Sequence, residues 1–185
     1  MEWRTCAGLS NVAGVRLLVW NMGVGGPGGS IAGHERAWQY LREQNFDVAL
    51  LQETRRPPAW VKNDGGSFIW KPKYASAWGC AVVARSVDLL CYEPDETFPW
   101  LGELSGSTAI AQAPADPKWL VSVHLHASAI PAAVLAHHSI EGVELTTPNR
   151  SVWPTNVIPH ELHRLFRTDA FIWGGDLNTD PGWTT

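Results

Sequence analysis

The chain has 185 residues, enough for one core of ordinary size, and its 45% hydrophobic and 17% charged content excludes a disordered, collagen-like or coiled-coil polypeptide. No apolar run reaches the roughly 18 residues of a membrane span, and the start of the sequence has neither the basic segment nor the apolar stretch of a signal peptide, so a cytoplasmic protein is expected. The formal net charge of −4 gives no general attraction to a nucleic-acid backbone, and Cys6, Cys80 and Cys91 lack the paired spacing of a zinc site or disulfide framework, which reads as free thiols in a reducing compartment.

Residues 1–14 read as an N-terminal extension and 15–185 as one domain. Val15 to Trp20 is a short Val/Leu-rich run that predicts a buried strand ending at Asn21, where the glycine-rich stretch Gly23 to Gly29 begins. Ser30 is placed to cap a helix whose apolar positions Ile31, Trp38 and Leu41 fall near helical spacing. Asp47 to Leu51 predicts a second strand, ending at Gln52 and Glu53, and this strand–helix–strand order favours a parallel or mixed sheet covered by helices. Short runs at Phe68 to Trp70, Gly79 to Ala84, Val87 to Cys91, Thr108 to Ala113 and Trp119 to His124, with turn residues between them, predict antiparallel neighbours. An Ala-rich helical stretch after Pro131 is followed by a proline-containing loop to Pro159, a short helix over His160 to Arg167, and a strand over Ala170 to Trp173 leading into Gly174, Gly175, Asp176 and Asn178.

Asn21, Glu53, His124, and Asp176 with Asn178 each stand at or just beyond the end of a predicted strand. Each alone has an ordinary explanation, since Asn and Asp are turn residues and a Glu after a strand is usually solvated. Together they describe a rim where rigid elements gather polar groups. The hard oxygen ligands Glu53 and Asp176 suit Mg²⁺, which keeps several waters and leaves room for phosphate oxygens, while His124 and Asn178 are suited to donate hydrogen bonds to a charged transition state.

VRLLVWN, DVALLQE, VSVHLHA and WGGDLNTDP, in that order, resemble four motifs of the endonuclease/exonuclease/phosphatase superfamily, and GCAVVAR resembles its central strand before an Arg. The resemblance runs from about Val15 to Pro181. It implies an α+β fold, the four-layer αββα sandwich of DNase I-like enzymes, and a hydrolase that cleaves phosphodiester or phosphomonoester bonds with Mg²⁺, or Mn²⁺ in its place. By the same resemblance Asn21 and Glu53 are metal-site residues, Asp176 and Asn178 align nucleophile and phosphate, and His124 contacts the phosphate. His126 shares the strand face of His124 by alternation; Leu125, in the place where the family histidine is commonly followed by Leu, favours His124. Relatives of the fold act on DNA, RNA, inositol phosphates and sphingolipid headgroups, so the partner expected is a phosphate ester, nucleic acid among the choices.

The family pattern also has a final strand with an Asp-His pair, and no Asp-His dipeptide occurs in this sequence. A C-terminally incomplete domain is therefore expected, with a decayed domain as the alternative, and turnover by the chain is expected to be low. From Arg55 to Tyr74 the basic residues Arg55, Arg56, Lys62, Lys71 and Lys73 alternate with Trp60, Phe68, Trp70 and Tyr74 against the single acid Asp64; just after Glu53, this reads as substrate contact, with Arg55 and Arg56 nearest. One rival reading is a dinucleotide-binding fold, because Gly23, Gly25 and Gly28 match G-x-G-x-x-G after a strand. Pro27 inside that loop, and the lack of any role for HLHA or GGDLNTDP, count against it. A Walker loop is excluded by the absence of Gly-Lys-Ser or Gly-Lys-Thr.

Overall fold

The computed structural model describes residues 8–12, 15–23, 30–73, 77–104, 106–114, 116–126, 128–145, 151–167 and 169–178. They form a mixed α+β structure with two mixed sheets and few helices. One sheet contains β1 (Gly8–Val12), β2 (Val15–Asn21), β3 (Val48–Arg55), β5 (Trp78–Ala84) and β4 (Ser67–Pro72), in that spatial order; the other contains β6 (Leu90–Cys91), β7 (Thr108–Ala113), β8 (Asp116–His124) and β9 (Phe171–Asp176). The helices are α1 (Ile31–Glu43), α2 (Trp60–Asn63), α3 (Pro99–Glu103), α4 (Ala132–Leu135) and α5 (Pro154–Leu165).

Side-chain alternation decides where each strand is buried. Leu17, Val48, Leu50, Cys80, Val82 and Ala84 of the first sheet join Ala109, Ala111 and Leu120 of the second in one apolar cluster between the sheets. The opposite parity of the first sheet, Leu18, Trp20, Ala49, Leu51, Ala81 and Val83, packs with Trp38 and Leu41 of α1. Ile110, Val121 and Val123 face α3 and α5 through Trp100, Leu101, Val157, Ile158 and Leu162. Cys80 lies in the middle cluster, where burial pushes its thiol up to about 12, so it is inert.

Ser30 caps α1 as the sequence indicates, its hydroxyl accepting from the Gly33 amide at 2.9 Å. The parallel pairing of β2 with β3 follows the α1 crossover, and β5, β4 and β6–β8 pair antiparallel. Four expectations need correction. Residues 8–12 of the supposed extension form an edge strand antiparallel to β2. The run Val87 to Cys91 contributes only Leu90 and Cys91 as strand, with Leu90 exposed. β3 extends past Glu53 to Arg55. The helix expected from His160 begins at Pro154, inside the supposed loop: proline is tolerated at the first helical position, and burial of Val157, Ile158 and Leu162 outweighs the backbone hydrogen bond that Pro159 cannot donate. Buried Glu161 of α5 accepts from the Trp100 and Leu101 amides at 3.1 and 2.8 Å, covering the start of α3.

At the opposite end of β2 and β3 from the site, Arg16 and Asp47 form a bidentate pair, with 2.7 Å between NH2 and Oδ1 and 3.1 Å between Nε and Oδ2, and the Arg16 amide also donates to Asp47. The Arg16 guanidinium holds the Asp47 carboxyl at about 2, below its ordinary 3.8. A folded-state value below the unfolded one means the contribution is complete above about pH 4 and is lost as pH falls towards 2. Denaturant midpoints of wild type and Asp47→Asn are expected to differ by a constant amount above pH 4 and to converge between pH 4 and pH 2.

Candidate metal centre

β2 and β3 run parallel, and so do β8 and β9, and contacts of Asn21 with Asp176 and of His124 with Glu53 bring the C-terminal ends of all four strands to one rim. Asn21 continues the inner face of β2 after Leu17 and Val19, His124 that of β8 after Leu120 and Ser122, and Asp176 that of β9 after Ile172 and Gly174. Glu53 has the wrong parity for this: Val48, Leu50 and Gln52 mark the inner face of β3. An extra residue between Leu51 and Thr54, opposite Ala81 and Gly79 of β5, corrects the direction, and Glu53 takes φ 48° within it. Left-handed backbone at a non-glycine residue costs on the order of 1 kcal/mol or more and clusters where function demands it. Asn178 also has a left-handed φ of 47°, which Asn accommodates more readily.

One polar network joins these ends. The Asn21 amide nitrogen donates to Asp176 Oδ2 at 2.8 Å and to Glu53 Oε1 at 3.3 Å, while its oxygen accepts from the Gly23 amide at 2.9 Å. His124 Nε2 lies 3.2 Å from Glu53 Oε1, which requires the Nε2–H form of the ring, and buried Nδ1 has no hydrogen-bond partner among the described residues. The Asn178 amide closes on Asp176 Oδ1 at 2.9 Å, and its side-chain nitrogen donates to the Leu125 carbonyl at 2.6 Å, 3.4 Å from His124 Nε2. The hydrogen bond from His124 holds the Glu53 carboxyl below its usual pKa, burial opposing and Asn21 assisting. Ligand atoms of Glu53, His124 and Asp176 lie within 4.8 Å of one another. The two carboxylates are oxygen donors of the kind a hard cation takes.

Close approach, of β8 and β9 within one sheet and of β3 and β8 across the two sheets, fixes this arrangement. Gly175 pairs with Val123, and a β-carbon on it would stand 1.8 Å from the Val123 carbonyl oxygen, so only glycine lets Asp176 reach the rim beside His124. Buried Gln52 donates to Ser122 Oγ at 2.9 Å, and Ser122 donates to the Leu51 carbonyl at 2.8 Å, tying β3 to β8 directly beneath the network. Neither residue stood out in the sequence; the signal is a polar residue at an inner position of an apolar strand.

Of the residues singled out in the sequence, Asn21, Glu53, His124, Asp176 and Asn178 meet in the network. Asn21 presents its amide nitrogen to the carboxylates, so it spans them as a donor and keeps its oxygen away from the centre. His126 stands beside His124, with ring centroids 5.7 Å apart. Among the described residues, Arg55 and Arg56 make no hydrogen bond or ion pair with the network: Arg55 acts electrostatically on His34, and Arg56 is exposed. Gly25, Pro27 and Gly28 of the dinucleotide reading lie outside the described residues, as do Cys6 and Tyr74. The sheet of that fold, with helices on both faces, differs from one whose inner face packs on a second sheet. No protein-family model matches the sequence, and neither does any curated protein.

If Asn21 bridges the carboxylates, its contribution depends on Asp176. A double-mutant cycle of Asn21→Ala and Asp176→Ala, read by chemical denaturation, is expected to give a coupling of about 1–3 kcal/mol. Additive effects would show that the bridge does not form in solution.

Proposed function

We propose that this chain is a divalent-metal-dependent phosphoesterase domain of endonuclease/exonuclease/phosphatase type, in which Glu53 and Asp176 hold Mg²⁺. The observation that carries the reading is the meeting of Asn21, Glu53, His124, Asp176 and Asn178, from four motifs far apart in the sequence, in one hydrogen-bonded network. The three apolar clusters, helix against sheet, sheet against sheet and sheet against helix, support a four-layer αββα sandwich of the DNase I-like kind. Mn²⁺ is the second candidate, because it takes the same oxygen ligands as Mg²⁺.

When bound, the metal supplies a Lewis acid for the phosphoryl oxygen and lowers the pKa of a coordinated water. The protein's own groups do the remaining work. Asn21 holds the two carboxylates at a fixed spacing, and the left-handed turn at Glu53 aims its carboxylate inward. His124 and Asn178 are placed to donate to phosphate oxygens as charge builds on them, where a preorganised donor is worth more than in water. Were Glu53 to hold a cation, the Nε2–H of His124 that it accepts here would be available to a phosphate oxygen. Phosphodiester or phosphomonoester is the substrate class, with nucleic acid as one source.

Isothermal titration with Mg²⁺ is expected to show binding that Glu53→Gln weakens by at least about tenfold while circular dichroism stays native. Mg²⁺-dependent hydrolysis of bis(p-nitrophenyl) phosphate is expected to be slow, and His124→Ala is expected to reduce its rate by roughly 10²-fold. Mg²⁺ affinity unchanged in folded Glu53→Gln would remove the metal assignment.

A further inference from the structure

β4 runs towards the same rim as β3, and its alternation continues there: Phe68 and Trp70 face α1, Ile69 belongs to the cluster between the sheets, and Lys73 follows on that inner parity. Lys73 is only 8% exposed, an uncommon place for an ammonium group unless a counter-charge accompanies it. Among the described residues no carboxylate pairs with it. Its Nζ donates to His126 Nδ1 at 3.2 Å and lies 4.9 Å from the centre of the Trp78 ring. Both rings pack edge-on against His124, at 5.7 Å each, so the ammonium stands one ring away from the Glu53–His124–Asp176 centre.

The backbone at this position is braced by both sheets. The Lys73 amide donates to the Trp78 carbonyl at 2.8 Å, and Gly106, with φ +81° in the turn before β7, sits where a β-carbon would come within 2.2 Å of Lys73 Cα. An ammonium has three protons, and His126 takes one of them. Burial lowers the Lys73 pKa, and the field of Glu53 is among the influences that oppose this. The result is a desolvated cation held by two uncharged rings at the edge of an acidic centre, a place complementary to the oxygens of a bound anion.

We propose that Lys73, held by His126 and Trp78, is a phosphate-positioning residue of this site, placed to bind a non-bridging oxygen of the phosphate ester that the metal centre engages. The assignment rests on the phosphoesterase reading above and narrows the basic stretch of the sequence to one residue that reaches the rim. It also gives His126 a part distinct from that of His124: it orients the lysine and has no contact with the carboxylates among the described residues.

Titration of inorganic phosphate into the chain at saturating Mg²⁺ tests this. Lys73→Met is expected to weaken phosphate binding by about tenfold or more while Mg²⁺ affinity holds or tightens, and Lys73→Arg is expected to recover most of the loss. In wild type, the ¹⁵Nζ resonance of Lys73 is expected to move on phosphate addition, a readout that does not depend on any variant folding. Equal phosphate affinity in wild type and folded Lys73→Met, or a ¹⁵Nζ resonance that does not respond, would overturn the role of Lys73 while leaving the metal reading in place. Absence of Mg²⁺ binding by wild type would overturn both.

Discussion

Two carboxylates that approach one another repel, and Glu53 and Asp176 are brought within 4.8 Å by strands of different sheets. At an effective dielectric constant of about 20 that repulsion amounts to about 3 kcal/mol. The Asn21 amide nitrogen, donating to both, supplies charge-assisted hydrogen bonds that offset it, and His124 adds a third donor on Glu53. Everything else at the rim depends on this compensation: without it the ends of β3 and β9 would separate, and neither His124 nor Asn178 would be held beside them. A divalent cation between the carboxylates would remove the repulsion outright, the physical reason for proposing one here.

The pairing of the sheets makes such an approach affordable in backbone terms. Parallel partners β2–β3 and β8–β9 send four C-terminal ends to one rim, and the inner-face parity of each strand then determines which residue arrives there. Three of the four strands deliver the network residue by simple alternation. The fourth needs an inserted residue and a left-handed backbone at Glu53, so local strain is confined to the position where direction matters most. The Gln52–Ser122 link beneath is buried and leaves one Gln52 oxygen without a hydrogen-bond partner among the described residues, which marks it as a device for register between the sheets rather than for stability alone.

Much of this is visible in the amino-acid sequence because strand ends are easy to read. Asn21, His124 and Asp176 each follow an apolar run, and Ser30 announces α1. Glu53 is legible for a simpler reason than the one that positions it: the run VALLQE locates the carboxylate, whereas the bulge that turns it inward depends on pairing with β5. Lys73 is one of five basic residues in a mixed stretch; Lys71 shares its inner parity on β4 but pairs with Glu93, and burial at the rim sets Lys73 apart. Gln52 and Ser122 look like ordinary polar positions until the sheets are packed together. Pro154 and Pro159 argue locally for a loop, and the apolar face of Val157, Ile158 and Leu162 overrides them through tertiary burial.

The metal site proposed at the two rim carboxylates carries the functional reading. Crystals of the protein soaked in Mn²⁺, with anomalous data collected at the manganese edge, test it most directly. A peak between Glu53 and Asp176, within about 2.2 Å of an oxygen of each, is the predicted result. A map with no peak there at saturating Mn²⁺, or with its peak at some other cluster, would contradict the account.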